Sequence, residues 1–392
     1  MRIVIDVMGS DERPFPDIEG AVQAGRYFHE LNGRESDPVT LILVGDQKVI
    51  RAELTKWGAQ DLPLEIVHAS QVIEMKEKAS RAARSKPDSS MRVGMEMVGT
   101  GKADAFVTAG NTGAALALAT VHALRRLPGV RRPALTSLMR VENEKTVVLV
   151  DLGANADSRP EWLVQFGVMG SLYAQHVLGQ ANPRVALLSN GEEEGKGNKL
   201  VRDAAGLFPK AGINYMGNVE PRDVLQGAAD VVVADGFVGN IMLKSLEAAG
   251  DTMFRSLRRE LSLNPIRMLG AFLSRPAFVK LYRQVDPFEI GGAPLLGVNG
   301  IVIVAHGRTN AKGIKNAILQ AHRAARANVI SAIQHGMARY AGIAEDEIDE
   351  VTVIKRPRRN RLANILRWRF SPLRLRRRGR GRGRRNAGLL NS

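Results

Sequence analysis

A chain of 392 residues, 44% of them hydrophobic, buries one large core or two lobes that share one, which excludes disorder of the whole. It has no cysteine, so a disulfide framework, a thiolate metal site and an acyl-cysteine intermediate are excluded as well. The net charge of +16 invites a nucleic-acid reading, but residues 355–392 hold one Lys and 14 Arg with no acid and account for +15 of it, leaving a nearly neutral body and a separate basic tail.

The chain opens with MRIVIDVMGSD, which enters a strand-like segment at once and lacks the charged start and long apolar stretch of a signal peptide. Short β-branched runs then recur at Ile3–Asp6, Thr40–Val44, Leu64–Val67, Ala105–Val107, Thr146–Val150, Val185–Leu188, Val231–Ala234 and Ile301–Val304, with helical segments between them. That alternation predicts a mostly parallel sheet covered by helices. Two charge-free stretches, Ala105–Leu124 and Gly167–Pro183, read as strand-loop-helix and as a partly buried helix, so no transmembrane helix is predicted. Residues 248–284 differ from the rest. Met253, Phe254, Leu257 and Leu261, then Met268, Leu269, Phe272 and Leu273, lie at helical spacing among Arg and Lys, which predicts a helical hairpin turning near Asn264 and Pro265.

Most strands lead into a polar loop: DVMGSD (6–11), AGNTGA (109–114), DLGANAD (151–157), SNGEEEGKGN (189–198) and DGFVGN (235–240). Ligands of such sheets bind beyond the carboxyl ends of strands, and five loops on one sheet edge would enclose one site. In GEEEGKGN, Gly195 and Gly197 let backbone N–H groups approach an anion and Lys196 adds a compact positive charge. The segment is either a cradle for inorganic phosphate or a charged turn capping the helix that starts near Asn198. It is no P-loop, because three residues rather than four separate Gly191 from Gly195-Lys196 and no Ser or Thr follows the lysine; no GxGxxG occurs either. In DGFVGN, Asp235 or Gly236 caps a helix, while the Asn240 amide and nearby N–H groups are placed to hold an oxyanion. Asn111 and Thr112 are comparable donors on AGNTGA, and DLGANAD suits an Asx turn supporting its neighbours. His306 follows the strand at 301–304 as an acid, a base, a phosphate donor or a structural histidine. GGAPLLGVNG (291–300), with Leu295 and Leu296 at its centre, is a Gly-rich loop suited to lining an acyl channel. GxSxG, SxxK and HExxH are absent.

Taken in this order, GEEEGKGN, AGNTGA, DGFVGN with Leu243 and Lys244, and GGAPLLGVNG followed by His306-Gly307 resemble the PlsX family of phosphate acyltransferases, over roughly residues 1–333. The resemblance implies a three-layer α/β/α fold related to isocitrate dehydrogenase and phosphate acetyltransferase. It also implies a homodimer and a cytoplasmic enzyme peripherally associated with the inner face of the membrane. The implied reaction moves a long-chain acyl group reversibly from acyl carrier protein to inorganic phosphate, and a membrane glycerol-3-phosphate acyltransferase then consumes the acyl phosphate. Lys196 and Asn240 become the leading catalytic candidates, and the leaving thiolate is expected to take its proton from His306 or from water. Asn111, Thr112, Gly195, Gly197, Asn198, Asp235 and Gly239 are expected to bind phosphate or substrate, and Phe254, Leu257, Leu269, Phe272, Leu295 and Leu296 to form the acyl channel or membrane contact. No cofactor or metal is expected. Two positions depart from the family pattern, Ser10 in DVMGSD and Pro221 in GNVEPRD, where the family has glycine.

Residues 1–354 are thus expected to form the catalytic domain and residues 355–392 a disordered or membrane-surface tail. The tail interleaves Leu362, Ile365, Leu366, Trp368, Phe370 and Leu373 with Arg before an Arg-Gly run, which suits an anionic-lipid anchor; nucleic-acid binding by the Arg-Gly run, docking of acidic carrier protein and a merely solvated tail are the alternatives. The competing functions are a short-chain phosphate acyltransferase using coenzyme A thioesters and a non-catalytic membrane- or nucleic-acid-binding relative.

Overall fold

Segments rich in Val, Ile and Leu become buried strands when helices cover both faces of a sheet. The computed structural model describes residues 1–32, 38–142 and 145–342, so the expectations for the basic tail lie outside the described residues. Its strands are β1 (Arg2–Asp6), β2 (Thr40–Gly45), β3 (Leu64–His68), β4 (Ala105–Thr108), β5 (Ala134–Arg140), β6 (Thr146–Val150), β7 (Val185–Leu188), β8 (Tyr215–Val219), β9 (Val231–Val233), β10 (Gly292–Leu296) and β11 (Ile301–Ala305). All the runs expected to be strands are strands; β5, β8 and β10 are additional.

They form one sheet in the order β3-β2-β1-β4-β11-β10-β5-β6-β9-β7-β8. The blocks β3-β2-β1-β4-β11 and β6-β9-β7-β8 are parallel throughout. They are joined by β10 and β5, which are antiparallel to each other and to their outer neighbours. Three successive reversals make the two blocks run in opposite senses. The five polar loops therefore do not leave a single sheet edge, as the sequence suggested. They form two groups, one beyond β1, β4 and β11 and one beyond β6, β9 and β7.

Helices cover both faces, giving the three-layer α/β/α arrangement. On one face Phe15–Asn32 packs on Ala311–Arg326, and Pro160–Leu178 on Val329–Ala341. On the other lie Ser90–Gly99, the short α-helix Thr112–Ala117 with its π-helical continuation Leu118–Ala123, and the start of Gly236–Leu261. Strand alternation separates Leu295, which joins the second face with Val302 and Val304, from Leu296, which joins the first with Met169 and Ile303. Among the described residues no helix is long and apolar enough to cross a membrane.

The helical hairpin is present, built from three helices. Gly236–Leu261 runs unbroken from the DGFVGN loop; Pro265–Leu273 follows, capped by the Asn264 side chain accepting from Arg267 N–H at 2.9 Å, and Arg275–Val285 continues after Ser274. Phe254 meets Tyr282 edge-on at 5.3 Å and Arg267 pairs with Glu260 at 3.1 Å. Phe254 and Leu257 are half-buried between the helices, whereas Ile266, Leu269 and Phe272 are 84, 60 and 70% exposed.

Candidate active site

The β6-β9-β7 group carries the main candidates. Asp235 caps its helix, its Oδ1 accepting from Phe237 N–H at 3.0 Å and Val238 N–H at 3.1 Å. Gly236 N–H donates to the Asn155 carbonyl at 2.8 Å and Gly239 N–H to the Asp235 carbonyl at 2.9 Å. Every N–H of that first turn is thus engaged, and Asp235 is a capping residue. Gly239 is a packing residue rather than a ligand contact, since a Cβ there would stand 2.1 Å from the Asp151 carbonyl oxygen. The half-buried Asn240 amide is the donor left over: it makes no side-chain hydrogen bond to a described residue and lies 3.9 Å from where a Cβ on Gly153 would project.

The loop beneath it is a buttress, an Asp-centred turn that supports its neighbours, as expected for DLGANAD. Asp151 is fully buried; its Oδ1 accepts from Leu135 N–H at 2.9 Å and Ala154 N–H at 3.1 Å, its Oδ2 from the Asn155 N–H and amide at 2.8 and 2.9 Å. Burial pushes this carboxyl above its usual range although these bonds act against the shift. Only the Asp151 bond to Leu135 has no signal in the local sequence, because Leu135 lies on another strand.

Next to this, across the direct pairing of β9 with β7, lies the Ser189–Asn198 loop. Lys196 is exposed, its stem lies along Gly191, and its ammonium has no ion-pair partner among the described residues. Gly197 has φ +94°, left-handed backbone that glycine adopts freely, and its N–H donates to Asn190 Oδ1 at 3.0 Å. Gly195 faces open space. Asn198 is the helix cap, accepting from Val201 N–H at 2.9 Å. The loop is held from below by Asn218, whose amide donates to the Glu193 carbonyl at 3.1 Å, and by Glu192, whose carboxyl is raised by its hydrogen bond to Asp223.

The β1-β4-β11 group is equally interlocked. Asp6, buried and raised by desolvation, accepts from Thr108 Oγ1 at 2.8 Å, and Asp11 N–H donates to the Gly307 carbonyl at 2.8 Å. Ser10 does not face ligand; its hydroxyl donates to Asp17 at 2.5 Å inside the protein. Asn111 is corrected as an oxyanion donor. Its Oδ1 caps the helix at Ala114 N–H, 3.0 Å, and its amide donates to the carbonyls of Met75 and Glu77 at 3.0 and 3.2 Å. His306 Nδ1 accepts from Arg308 N–H at 3.1 Å, which leaves the neutral ring's proton on Nε2. Burial lowers the ring below its ordinary value, with Glu247 opposing and Arg308 and Lys244 reinforcing the shift.

The two groups meet on one face. Thr112 and Leu116 share the wall of a small cavity with Leu135, Ala154, Leu295 and Val304, and His306 senses Lys244 and Glu247 on the helix that carries Asn240. Leu296 is turned to the opposite face and does not reach this cavity. Thr112 and Leu295 thus line this cavity and His306 lies near the helix that carries Asn240, while Lys196 stands on the loop after β7 and Asn111, Asn198, Asp235 and Gly239 build the frames of the two groups.

The same architecture occurs in a phosphotransacetylase from Streptococcus pyogenes, with a TM-score of 0.54 at 19% identity over 83% of this chain and 94% of that one. The fold class is therefore the α/β/α class of the phosphotransacetylases. Residues 1–332 match the family model described as fatty acid synthesis protein. A phosphate acyltransferase of Citrifermentans bemidjiense is 47% identical over 322 residues, 82% of this chain and 88% of its own length. Another, of Geobacter sulfurreducens, is 45% identical over 329 residues, 84% and 92% of the two chains. The chain belongs to this family, the PlsX phosphate acyltransferases.

Proposed function

We propose that the protein transfers a long-chain fatty acyl group reversibly from acyl carrier protein thioester to inorganic phosphate, and that the acyl phosphate goes on to a membrane glycerol-3-phosphate acyltransferase in phospholipid synthesis. The observation that carries this reading is the pair of uncommitted groups beyond neighbouring strands, the Lys196 ammonium and the Asn240 amide, in a frame where the side chains of Asp151, Asn155, Asn198 and Asp235 are already bonded. Phosphate is an anionic nucleophile at neutral pH, so the task is to hold it against the thioester carbonyl. Lys196 holds the phosphate and Asn240 the oxyanion that develops as a phosphate oxygen bonds to the carbonyl carbon. The carbon–sulfur bond then breaks, His306 Nε2–H hydrogen-bonds to the departing sulfur, and the thiolate takes its proton from water. The absence of cysteine favours direct transfer over an acyl-enzyme.

The same reading includes a homodimer and peripheral attachment to the cytoplasmic face of the membrane, supported by the exposed apolar residues of the hairpin. The deciding experiment is thiol release from long-chain acyl carrier protein with and without phosphate, with the acyl phosphate identified as product. Release that does not depend on phosphate would sink the reading, and preference for an acyl coenzyme A thioester would replace the donor.

A further inference from the structure

The body of the chain is nearly neutral, yet Arg125, Arg126, Arg131, Arg132 and Arg159 are all exposed and none forms an ion pair with a described residue. Arg126 reaches the Arg131 carbonyl, and Arg132 and Arg159 stand over the Trp162 ring at 5.0 and 5.6 Å. Gathering like charges costs free energy, and stacking on Trp162 holds two guanidiniums in place while keeping their donors outward. The segment is tied to the site on two sides. Leu127 N–H donates to the Gly297 carbonyl at 3.0 Å and Asn299 N–H to the Arg125 carbonyl at 2.9 Å, hooking it to the loop after β10. The Asn155 amide donates to the Pro133 carbonyl at 2.8 Å, hooking it to the buttress under Asn240.

We propose that this arginine patch is the docking surface for the acidic protein that carries the acyl thioester. The proposal rests on the acyl-transfer reading above and adds where the donor's protein part is held. Arginine forks and a partly covered tryptophan are the side chains that anchor protein interfaces, and their charge selects a carboxylate-rich partner. A lipid surface is the weaker fit, because the apolar residues that enter lipid are gathered on the hairpin instead. The chain offers a rival occupant of its own, Glu345–Glu350 with five acids, which follows a helix whose Tyr340 senses both Arg131 and Glu161.

The test compares Arg131→Glu/Arg132→Glu and Arg159→Glu variants of the full chain with wild type, using palmitoyl-acyl carrier protein and palmitoyl-pantetheine as donors. The expected result is a KM for the carrier-linked donor raised about tenfold or more, weaker salt dependence, and kcat and KM for the pantetheine donor within about twofold of wild type. Lysine at the same positions restores most of the affinity. Carrier binding is also read by fluorescence anisotropy without turnover, so an inactive enzyme that still binds carrier through the patch refutes the reaction and not the docking site. Unchanged carrier affinity, or equal losses with both donors, overturns the proposal. A charge effect that emerges only after the acids of 345–350 are converted to amides assigns the patch to the chain's own acidic stretch, and equally overturns it.

Discussion

His306 accepts a hydrogen bond from a backbone N–H that can only donate, so its neutral ring presents Nε2–H, and burial keeps that neutral form dominant at pH 7. Replacing it by Ala removes the Nε2–H that faces the departing sulfur, and kcat is expected to fall about 100-fold. The wild-type to His306→Ala ratio of kcat, which cancels the titration of phosphate, should shrink on acidification below the ring's lowered pKa, because protonated Nδ1 cannot keep the Arg308 bond that orients the ring. A flat ratio between pH 5 and 8 would remove His306 as the donor to the thiolate. Lys196→Ala is expected to lower turnover by about 100- to 1000-fold while the circular dichroism spectrum stays unchanged, since its ammonium has no structural partner. Near-normal turnover would take Lys196 out of the mechanism. At this scale the candidates were legible where the residue type itself carries charge or a proton, as at Lys196 and His306. Asn111 misled because an amide is as good a helix cap as an oxyanion donor, and only its neighbours distinguish the two.

The helix Gly236–Leu261 links chemistry to the hairpin, because its first turn rests on Asp151 and its last turn leads into the exposed helices. Gly239→Ala drives a methyl group into the Asp151 carbonyl, which lies 2.1 Å from the ideal Cβ position, so the helix start must lift. The expected cost is about 1–3 kcal/mol in urea denaturation, with a larger loss in kcat than in thermal stability because Asn240 is the next residue. Wild-type kcat in that variant would show that the buttress does not position Asn240. On the hairpin, Leu269→Asp/Phe272→Asp touches exposed residues only, so folding and turnover of soluble donor should persist while flotation with vesicles of anionic phospholipid drops. Undiminished flotation would move the membrane contact elsewhere. The sequence also shows why β10 was hidden: GAPLL contains Gly and Pro, and Pro294 donates no ladder hydrogen bond, so composition argued for a loop. Its neighbour β5, ALTSLMR, has weak alternation and was hidden as well.

Stability of the whole molecule should carry the mark of Asp17, buried at the start of the Phe15–Asn32 helix. Burial pushes its carboxyl from 3.8 up to about 7, with the Ser10 hydrogen bond opposing and the charge of Asp6 adding to the shift. Between those values the folded state keeps a proton that the unfolded chain releases, so the contribution is full below pH 4 and is lost as pH rises through about 7. The upper bound is on the order of 4 kcal/mol, and Asp6 and Asp151, also raised by burial, act in the same sense. Asp17→Asn should therefore flatten the decline in urea midpoint between pH 5 and 8; parallel declines would discard Asp17 as its source. This pair also explains Ser10, whose hydroxyl serves a buried acid and leaves the ligand side of its loop alone. By itself the sequence determined the α/β class, most of the strands, and the polar loops with their candidate residues, because hydrophobic period and side-chain chemistry are local properties. The tertiary structure alone decided that two opposed parallel blocks are joined by β10 and β5, that Asp151 supports the turn before Asn240, and that Arg132 and Arg159 meet over Trp162. Those features depend on pairings between residues far apart in the chain, which no local pattern encodes.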